Sequence, residues 1–256
     1  MRLDIYLYNS GFCKSRQKAK NLIDEGSVLV NGKLATKASQ EIDESKEHDI
    51  IINDTCPYVS RGGLKLKAII DAIKLDINGL NCIDIGASTG GFTDCLLQEG
   101  ACKVFAVDTG ENQLDSSLQE DDRVVYLENL NARNLTLEHI GQAVDIIVMD
   151  VSFISQTLII PTIISLINKN GYFLSLIKPQ FEVGRDKIGK GGIVKNKKHQ
   201  RLAVEKVIDC AKEYGLKCNR IIKSPIAGGD GNIEYLAVFS KNGTEINENA
   251  LKGLFT

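Results

Sequence analysis

The first sixty residues alternate short helical and strand-like patterns. Leu3, Tyr6 and Leu7 fall at helical spacing and the pattern closes at Gly11, which predicts a first helix within residues 1–12. A second helix follows, with Ser15 as its cap, Ala19, Leu22 and Ile23 as its buried stripe, and Gly26 as its stop. Ser27-Val28-Leu29-Val30 reads as a strand running into Asn31-Gly32, the strongest short hairpin signal. Ile50-Ile51-Ile52 predicts a last strand of this small unit, and residues 53–59, with Pro57 among them, a linker.

From Cys82 to Phe239 the pattern changes. Apolar runs at 82–86, 103–108, 123–127, 144–150, 171–178, 219–223 and 233–239 alternate with helical stretches. That alternation predicts an α/β domain whose mainly parallel sheet is covered on both faces. Just before it, Ser60-Arg61-Gly62-Gly63 opens a helix whose apolar positions Leu64, Ala68, Ile69, Ala72 and Ile73 are expected to pack toward the sheet. The chain therefore reads as two domains, 1–58 and 59–256. Its 256 residues, 43% of them hydrophobic, suffice for one large core and a small satellite. The apolar stretch 158–167 is interrupted by Pro161, Thr162 and Ser165 and is too short to span a bilayer, and the polar start Met1-Arg2-Leu3-Asp4 predicts no signal peptide.

In such a sheet, functional groups are expected beyond the carboxyl ends of the strands. The first strand runs into Asp84-Ile85-Gly86-Ala87-Ser88-Thr89-Gly90-Gly91-Phe92. Gly86 suits positive φ at the strand exit, and Gly90 and Gly91 are expected to let the backbone approach a ligand. The spacing G-x-x-x-G-G is not that of a dinucleotide fold, and no Lys-Ser/Thr follows, so it is not a P-loop. Asp84 is placed to meet an ammonium group, and Asp108, at the end of the next strand, suits a ribose diol. The pair matches S-adenosylmethionine as the cofactor. Four further residues fall at suitable places: Asp150 and Lys178 at strand ends, Glu234 beside Gly231-Asn232, and Lys65 on the preceding helix.

Charge adds a partner class. The net charge is −2, yet residues 81–150 hold 13 acids against 3 Lys/Arg, whereas residues 178–223 hold 13 Lys/Arg against 5 acids. The first 40 residues hold 7 Lys/Arg against 3 acids. Both basic regions suit a polyanion. The seven cysteines show no C-x-x-C pair and there are three histidines, so no metal site is expected, and the cysteines read as those of a reduced, cytoplasmic protein.

Two resemblances follow. Arg2-Leu3-Asp4, Lys14-Ser15-Arg16-Gln17-Lys18-Ala19 and Gly26-x-Val28-x-Val30-Asn31-Gly32 resemble the ribosomal-protein-S-four-like domain, which grips structured RNA through phosphates and shape. This implies RNA contacts by Arg2, Lys14, Ser15, Arg16, Lys18, Lys20 and Lys33. Ser60-Arg61-Gly62-Gly63-Leu64-Lys65-Leu66, the glycine motif through Asp94, Asp150-Val151-Ser152-Phe153-Ile154-Ser155, Lys178-Pro179-Gln180-Phe181-Glu182 and Gly231-Asn232-x-Glu234 together resemble the TlyA (haemolysin A) family. Its members are ribosomal RNA 2′-O-methyltransferases with an FtsJ-like catalytic domain. The resemblance implies an α/β fold, a Rossmann-like S-adenosylmethionine-dependent methyltransferase sheet with a small N-terminal α+β RNA-binding domain. It also implies a catalytic set of Lys65, Asp150, Lys178 and Glu234, a cofactor set of Asp84, Gly86, Ala87, Ser88, Gly90, Gly91, Phe92 and Asp108, and ribosomal RNA, with cytidine the target, as substrate.

The chemistry of the residues agrees. A ribose hydroxyl is a poor nucleophile until its proton is removed, so a base and alignment are needed. Lys178 can serve if neighbouring Lys65 and partial burial favour its neutral amine, with Asp150 and Glu234 orienting the two amines. Methylation of a base amine normally uses an Asn/Asp-Pro-Pro-aromatic loop, and here the loop lacks proline; cytosine C5 methylation needs a nearby cysteine, and the loop has none. Phe153 is free to stack on a splayed-out base. Arg61 and Arg185 are further expected RNA contacts, and the glycine-rich basic loop 182–192 is expected to be mobile and to close over RNA. Two other readings stay open at this point: an RNA-binding assembly factor without catalysis, and a membrane-active haemolysin.

Overall fold

The computed structural model describes every residue except Lys14, Glu25, Asp54, Thr55, Gly229, Asp230 and Thr256. Residues Met1–Pro57 form one compact unit and Tyr58–Thr256 a second.

In the first unit, α1 (Leu3–Asn9) and α2 (Arg16–Asp24) precede a small antiparallel sheet. The Lys18 backbone N–H donates to Ser15 Oγ at 3.1 Å, satisfying one of the free donors at the start of α2. Leu3 and Leu7 of α1 pack with Ala19, Leu22 and Ile23 of α2 and with Val28 and Val30. β1 (Val28–Val30) is the middle strand between β2 (Lys33–Leu34) and β3 (Ile50–Ile52). Asn31 and Gly32 both take positive φ, 51° and 73°, the turn geometry whose twist matches that of the flanking strands.

The second unit runs α3 (Gly62–Ile73), β4 (Asn81–Ile85), α4 (Gly91–Gln98), β5 (Lys103–Val107), α5 (Ser116–Gln119), β6 (Val124–Leu127), α6 (Leu137–Ile140), β7 (Val144–Met149), α7 (Ile160–Leu166) and β8 (Ile167–Ile177). It continues with α8 (Pro179–Glu182), α9 (Lys197–Glu213), β9 (Lys217–Lys223), β10 (Tyr235–Ser240) and α10 (Glu248–Gly253). One seven-stranded sheet has the order β6-β5-β4-β7-β8-β10-β9. β4 to β8 are parallel neighbours, and β10 is antiparallel to both β8 and β9. Cys82, Ile83, Asp84 and Ile85 are all buried, as expected for a strand covered on both faces. The chain leaves β4 toward β5 on one side and returns to β7 on the other. A crevice therefore opens beyond the carboxyl end of β4.

Two expectations are corrected here. The buried face of α3 is Gly63, Leu66, Ile69 and Ile70, whereas Ala72 is exposed and Leu64, Ala68 and Ile73 are half-buried. Both stripes satisfy a 3.6-residue period, and only the docking of the helix chooses between them. β8 begins at Ile167, not at 171, because the apolar stretch 158–167 becomes α7 and then turns directly into strand. The C-terminal residues, which carry no motif, close the core: Leu251 is buried and the Phe255 ring lies 5.1 Å from that of Tyr235.

Candidate active site

A cavity of about 450 Å³ opens in the crevice beyond β4, a volume suited to a small molecule. Of the expected cofactor residues, Gly86, Ser88 and Asp108 line it, together with Asp150 and Phe153. Gly86 has φ +81°, and a Cβ there would collide with the Asp150 carbonyl oxygen. The glycine thus lets the turn after β4 pass close against the Asp150 backbone at the end of β7, at the rim of the cavity. Ser88 also has positive φ, 48°, which turns its N–H onto Asp108 Oδ2 at 2.8 Å; the Gly110 N–H donates to Oδ1 at 2.7 Å. The remaining lone pairs of that carboxylate are available to a diol.

The other members of the set lie differently. A Cβ at Gly90 would collide with Leu118, and one at Gly91 with Ser60 Oγ, so the absent side chains make room for protein neighbours. Ala87 and Phe92 are buried. Asp84 lies within β4 and is 0% exposed. Thr93 Oγ1 donates to its Oδ2 at 2.7 Å, while Oδ1 has no hydrogen-bond partner. Burial pushes this carboxyl up to about 7 against the opposing Thr93 bond. An orphaned, costly carboxylate under the glycine loop fits a cationic ligand group.

At the same edge of the sheet the structure brings Lys65, Asp150, Lys178 and Glu234 together as two pairs. Lys65 Nζ, from the first turn of α3, donates to Glu234 Oε2 at 2.6 Å. Lys178 Nζ lies 2.6 Å from Asp150 Oδ1 without hydrogen-bond alignment, and donates instead to Ser152 Oγ at 2.9 Å. The pairs are neighbours because Tyr235 opposes Ile177 across β10 and β8, so Glu234 and Lys178 occupy the next register position. Each amine has its own acid, as expected of Asp150 and Glu234 orienting the two lysines. Asp150 alone of the four also lines the cavity.

The second unit matches the FtsJ-like methyltransferase family over residues 58–241. The chain belongs to that family. Residues 1–48 match the S4 domain. Hemolysin A of Brachyspira hyodysenteriae is 43% identical over 244 residues, 93% of this chain and 99% of that protein. The 16S/23S rRNA (cytidine-2′-O)-methyltransferase TlyA of Mycobacterium tuberculosis is 39% identical over 234 residues, 91% of this chain and 87% of that one. A solved candidate hemolysin from Streptococcus thermophilus is 37% identical with a TM-score of 0.79, covering all of this chain and 94% of its own.

Within this FtsJ-like unit, Phe153 is 91% exposed with φ +65°, and its ring lies 5.1 Å from that of Phe181. Left-handed backbone at an aromatic residue costs energy, so the loop is held in this shape by its surroundings. Arg185 is exposed and Arg61 half-buried. The loop 182–192 is anchored at its far end: Asn232 Nδ2 donates to the Gly192 carbonyl at 3.0 Å, and its Oδ1 accepts the Val194 N–H at 3.0 Å. The basic charge is also less free than composition implies, because Lys187, Arg201, Lys206 and Lys212 hold ion pairs with Asp186, Glu205, Glu182 and Glu245.

In the S4 domain, Lys20 and Lys33 are exposed and Lys18 is half-buried. Ser15 serves as the helix cap. Arg2 and Arg16 both bind Asp4, at 2.9 and 3.2 Å. Burial alone would raise the Asp4 carboxyl, but the two guanidinium groups outweigh it and hold it below the usual carboxylate range. Lys14 lies outside the described residues. Sequence reasoning missed Thr109, Gln113 and Asn131, which line the cavity from the loops after β5 and β6, and Ser152, which binds Lys178. Their position just past predicted strand ends was the available signal. No helix among the described residues is long and apolar enough to cross a membrane.

Proposed function

We propose that this chain transfers a methyl group from S-adenosylmethionine to a ribose 2′-hydroxyl of ribosomal RNA, on a cytidine. The observation that carries the reading is the position of Asp150, which lines the cavity and at the same time contacts Lys178. A hydroxyl presented to Lys178 is therefore presented beside the bound cofactor. S-adenosylmethionine, when bound, supplies a sulfonium-activated methyl carbon, so the protein has to orient the hydroxyl and accept its proton. Asp108 takes the ribose diol, Asp84 Oδ1 serves the cationic amino acid end, and Gly86 and Ser88 shape the wall between them. Lys178 accepts the proton, held by Asp150 and Ser152, and Lys65 with Glu234 fixes the other side of the site. Phe153 offers its exposed ring to the target base. The S4 domain, through Arg2, Arg16, Lys18, Lys20 and Lys33, together with Arg61 and Arg185, holds the RNA by its phosphates. The sequence of one relative, named as a 16S/23S rRNA (cytidine-2′-O)-methyltransferase, supports the choice of substrate.

The test is methylation of ribosomal RNA by purified protein, with 2′-O-methyl marks mapped by sequencing. Lys178→Ala should lose about 10²- to 10⁴-fold in turnover, the usual contribution of a general base, with both binding constants little changed. Lys178→Arg should not restore it, since guanidinium keeps the charge but does not take up a proton near neutral pH. Turnover of the arginine variant within a few-fold of wild type would move the acceptor role to Asp150.

A further inference from the structure

The loop that begins at Asp150 ends in a polar cluster, built on the buried carboxylate of Glu182, to which the reading above gives no role. Glu182, at the end of α8, is 5% exposed. Its Oε2 accepts from Ser155 Oγ at 2.5 Å and its Oε1 from the Gln156 backbone N–H at 2.8 Å. Lys206 Nζ, from α9, donates to the Glu182 carbonyl at 2.9 Å and to Ser155 Oγ at 3.1 Å, and lies 3.4 Å from Glu182 Oε2. Gln156 extends the cluster to β8: its Nε2 donates to the Leu176 carbonyl at 2.7 Å and its Oε1 accepts from Ser175 Oγ at 2.5 Å. Ser175, on β8, precedes Lys178, and Glu182, at the end of α8, follows it by one helical turn.

The loop from Asp150 to Gln156 is thus tied at both ends. At its start the Asp150 N–H donates to the Ile85 carbonyl at 2.9 Å. At its end Ser155 and Gln156 are bound to groups on either side of Lys178 along the chain. What lies between, Ser152 and Phe153, includes a residue in left-handed backbone geometry. A carboxylate so deeply buried is costly unless paired, and burial does raise its pKa against the Ser155 and Gln156 hydrogen bonds. Packing alone would be served at less cost by an apolar side chain.

We propose that Glu182 is a positioning residue for methyl transfer: it fastens the Asp150–Gln156 loop to the helix that follows Lys178, and so sets the Asp150–Lys178 contact and the stance of Phe153 before RNA arrives. The inference rests on the function proposed above. Supporting groups of this kind fix reacting groups to within a fraction of an ångström, and a misplacement of about 1 Å costs on the order of 10²-fold in rate.

The experiment is single-turnover methylation of ribosomal RNA at saturating S-adenosylmethionine and RNA, with binding constants for both ligands measured alongside. Glu182→Gln keeps the size of the side chain but replaces an acceptor by a donor and removes the charge facing Lys206. It should slow the methyl-transfer step at least tenfold while both binding constants stay within about twofold. If that variant fails to fold, Ser155→Ala removes one hydroxyl from the cluster and should still slow the step several-fold, whereas Ser155→Thr, which retains the hydroxyl, should run near the wild-type rate. Folded Glu182→Gln or Ser155→Ala protein that methylates within twofold of wild type would overturn the proposal. A wild-type protein that does not methylate at all would instead overturn the function on which it rests.

Discussion

Asp84 shows at the scale of one residue how a legible motif can hide its chemistry. Its sequence position suggests an ionised partner for a cationic ligand group, and the fold then removes it wholly from water with one oxygen unpaired. The pH consequence can be worked out. Unfolded, the carboxyl titrates near 4; folded, burial raises it to about 7. The folded state therefore binds the extra proton between those values, so the contribution of this group to stability is full below about pH 4 and lost as pH rises through about 7. Urea unfolding of the cofactor-free protein across pH 4.5 to 8 should show a slope that Asp84→Asn lacks, with a difference of up to about 4 kcal/mol for a shift of this size. Parallel curves for the two proteins would mean that the folded carboxyl is ionised throughout.

At the scale of the elements, the rim of the cavity depends on how closely the exits of β4 and β7 approach each other. Gly86 and Gly79 both have positive φ, 81° and 75°, but only Gly86 faces backbone where a Cβ would stand; Gly79 faces open space. Gly79→Ala should cost about 1 kcal/mol, the penalty of left-handed backbone at alanine. Gly86→Ala should cost more and also weaken S-adenosylmethionine binding measured by calorimetry, because the Asp150 carbonyl must move. Equal losses in the two variants would show that the Asp150 carbonyl gives way at no cost. The helix α3 makes the complementary point. Its existence was legible from Gly62 to Ile73, yet its buried stripe was misassigned, since periodicity fixes an angular spacing and not which of two overlapping stripes meets the sheet.

At the scale of the whole chain, the sequence divides into two compact units between Pro57 and Tyr58. Each has its own hydrophobic core, the smaller built on Leu3, Leu7, Leu22 and Ile23 and the larger on the sheet and its covering helices. Residues 58–256 alone should therefore fold cooperatively and bind S-adenosylmethionine, but lose most affinity for structured ribosomal RNA and much of the salt dependence of binding. Filter binding across a salt series checks this; unchanged affinity in the fragment would remove the S4 domain from the RNA contact.

The sequence by itself determined what is local. Helix and strand periods, the Asn31-Gly32 turn, the glycine motif and the acids and lysines at strand ends are set by side-chain spacing and backbone preference, which operate over a few residues. Tertiary structure decided which of these groups meet. Lys65 reaches Glu234, and Glu182 reaches Ser155, because of strand order, register and helix docking. Asp4 takes up Arg2 and Arg16, which composition counts as free cations, and Gly90 and Gly91 yield their space to Leu118 and Ser60. Contacts between residues far apart in the chain depend on the packing of whole elements, and no short stretch of sequence carries that information.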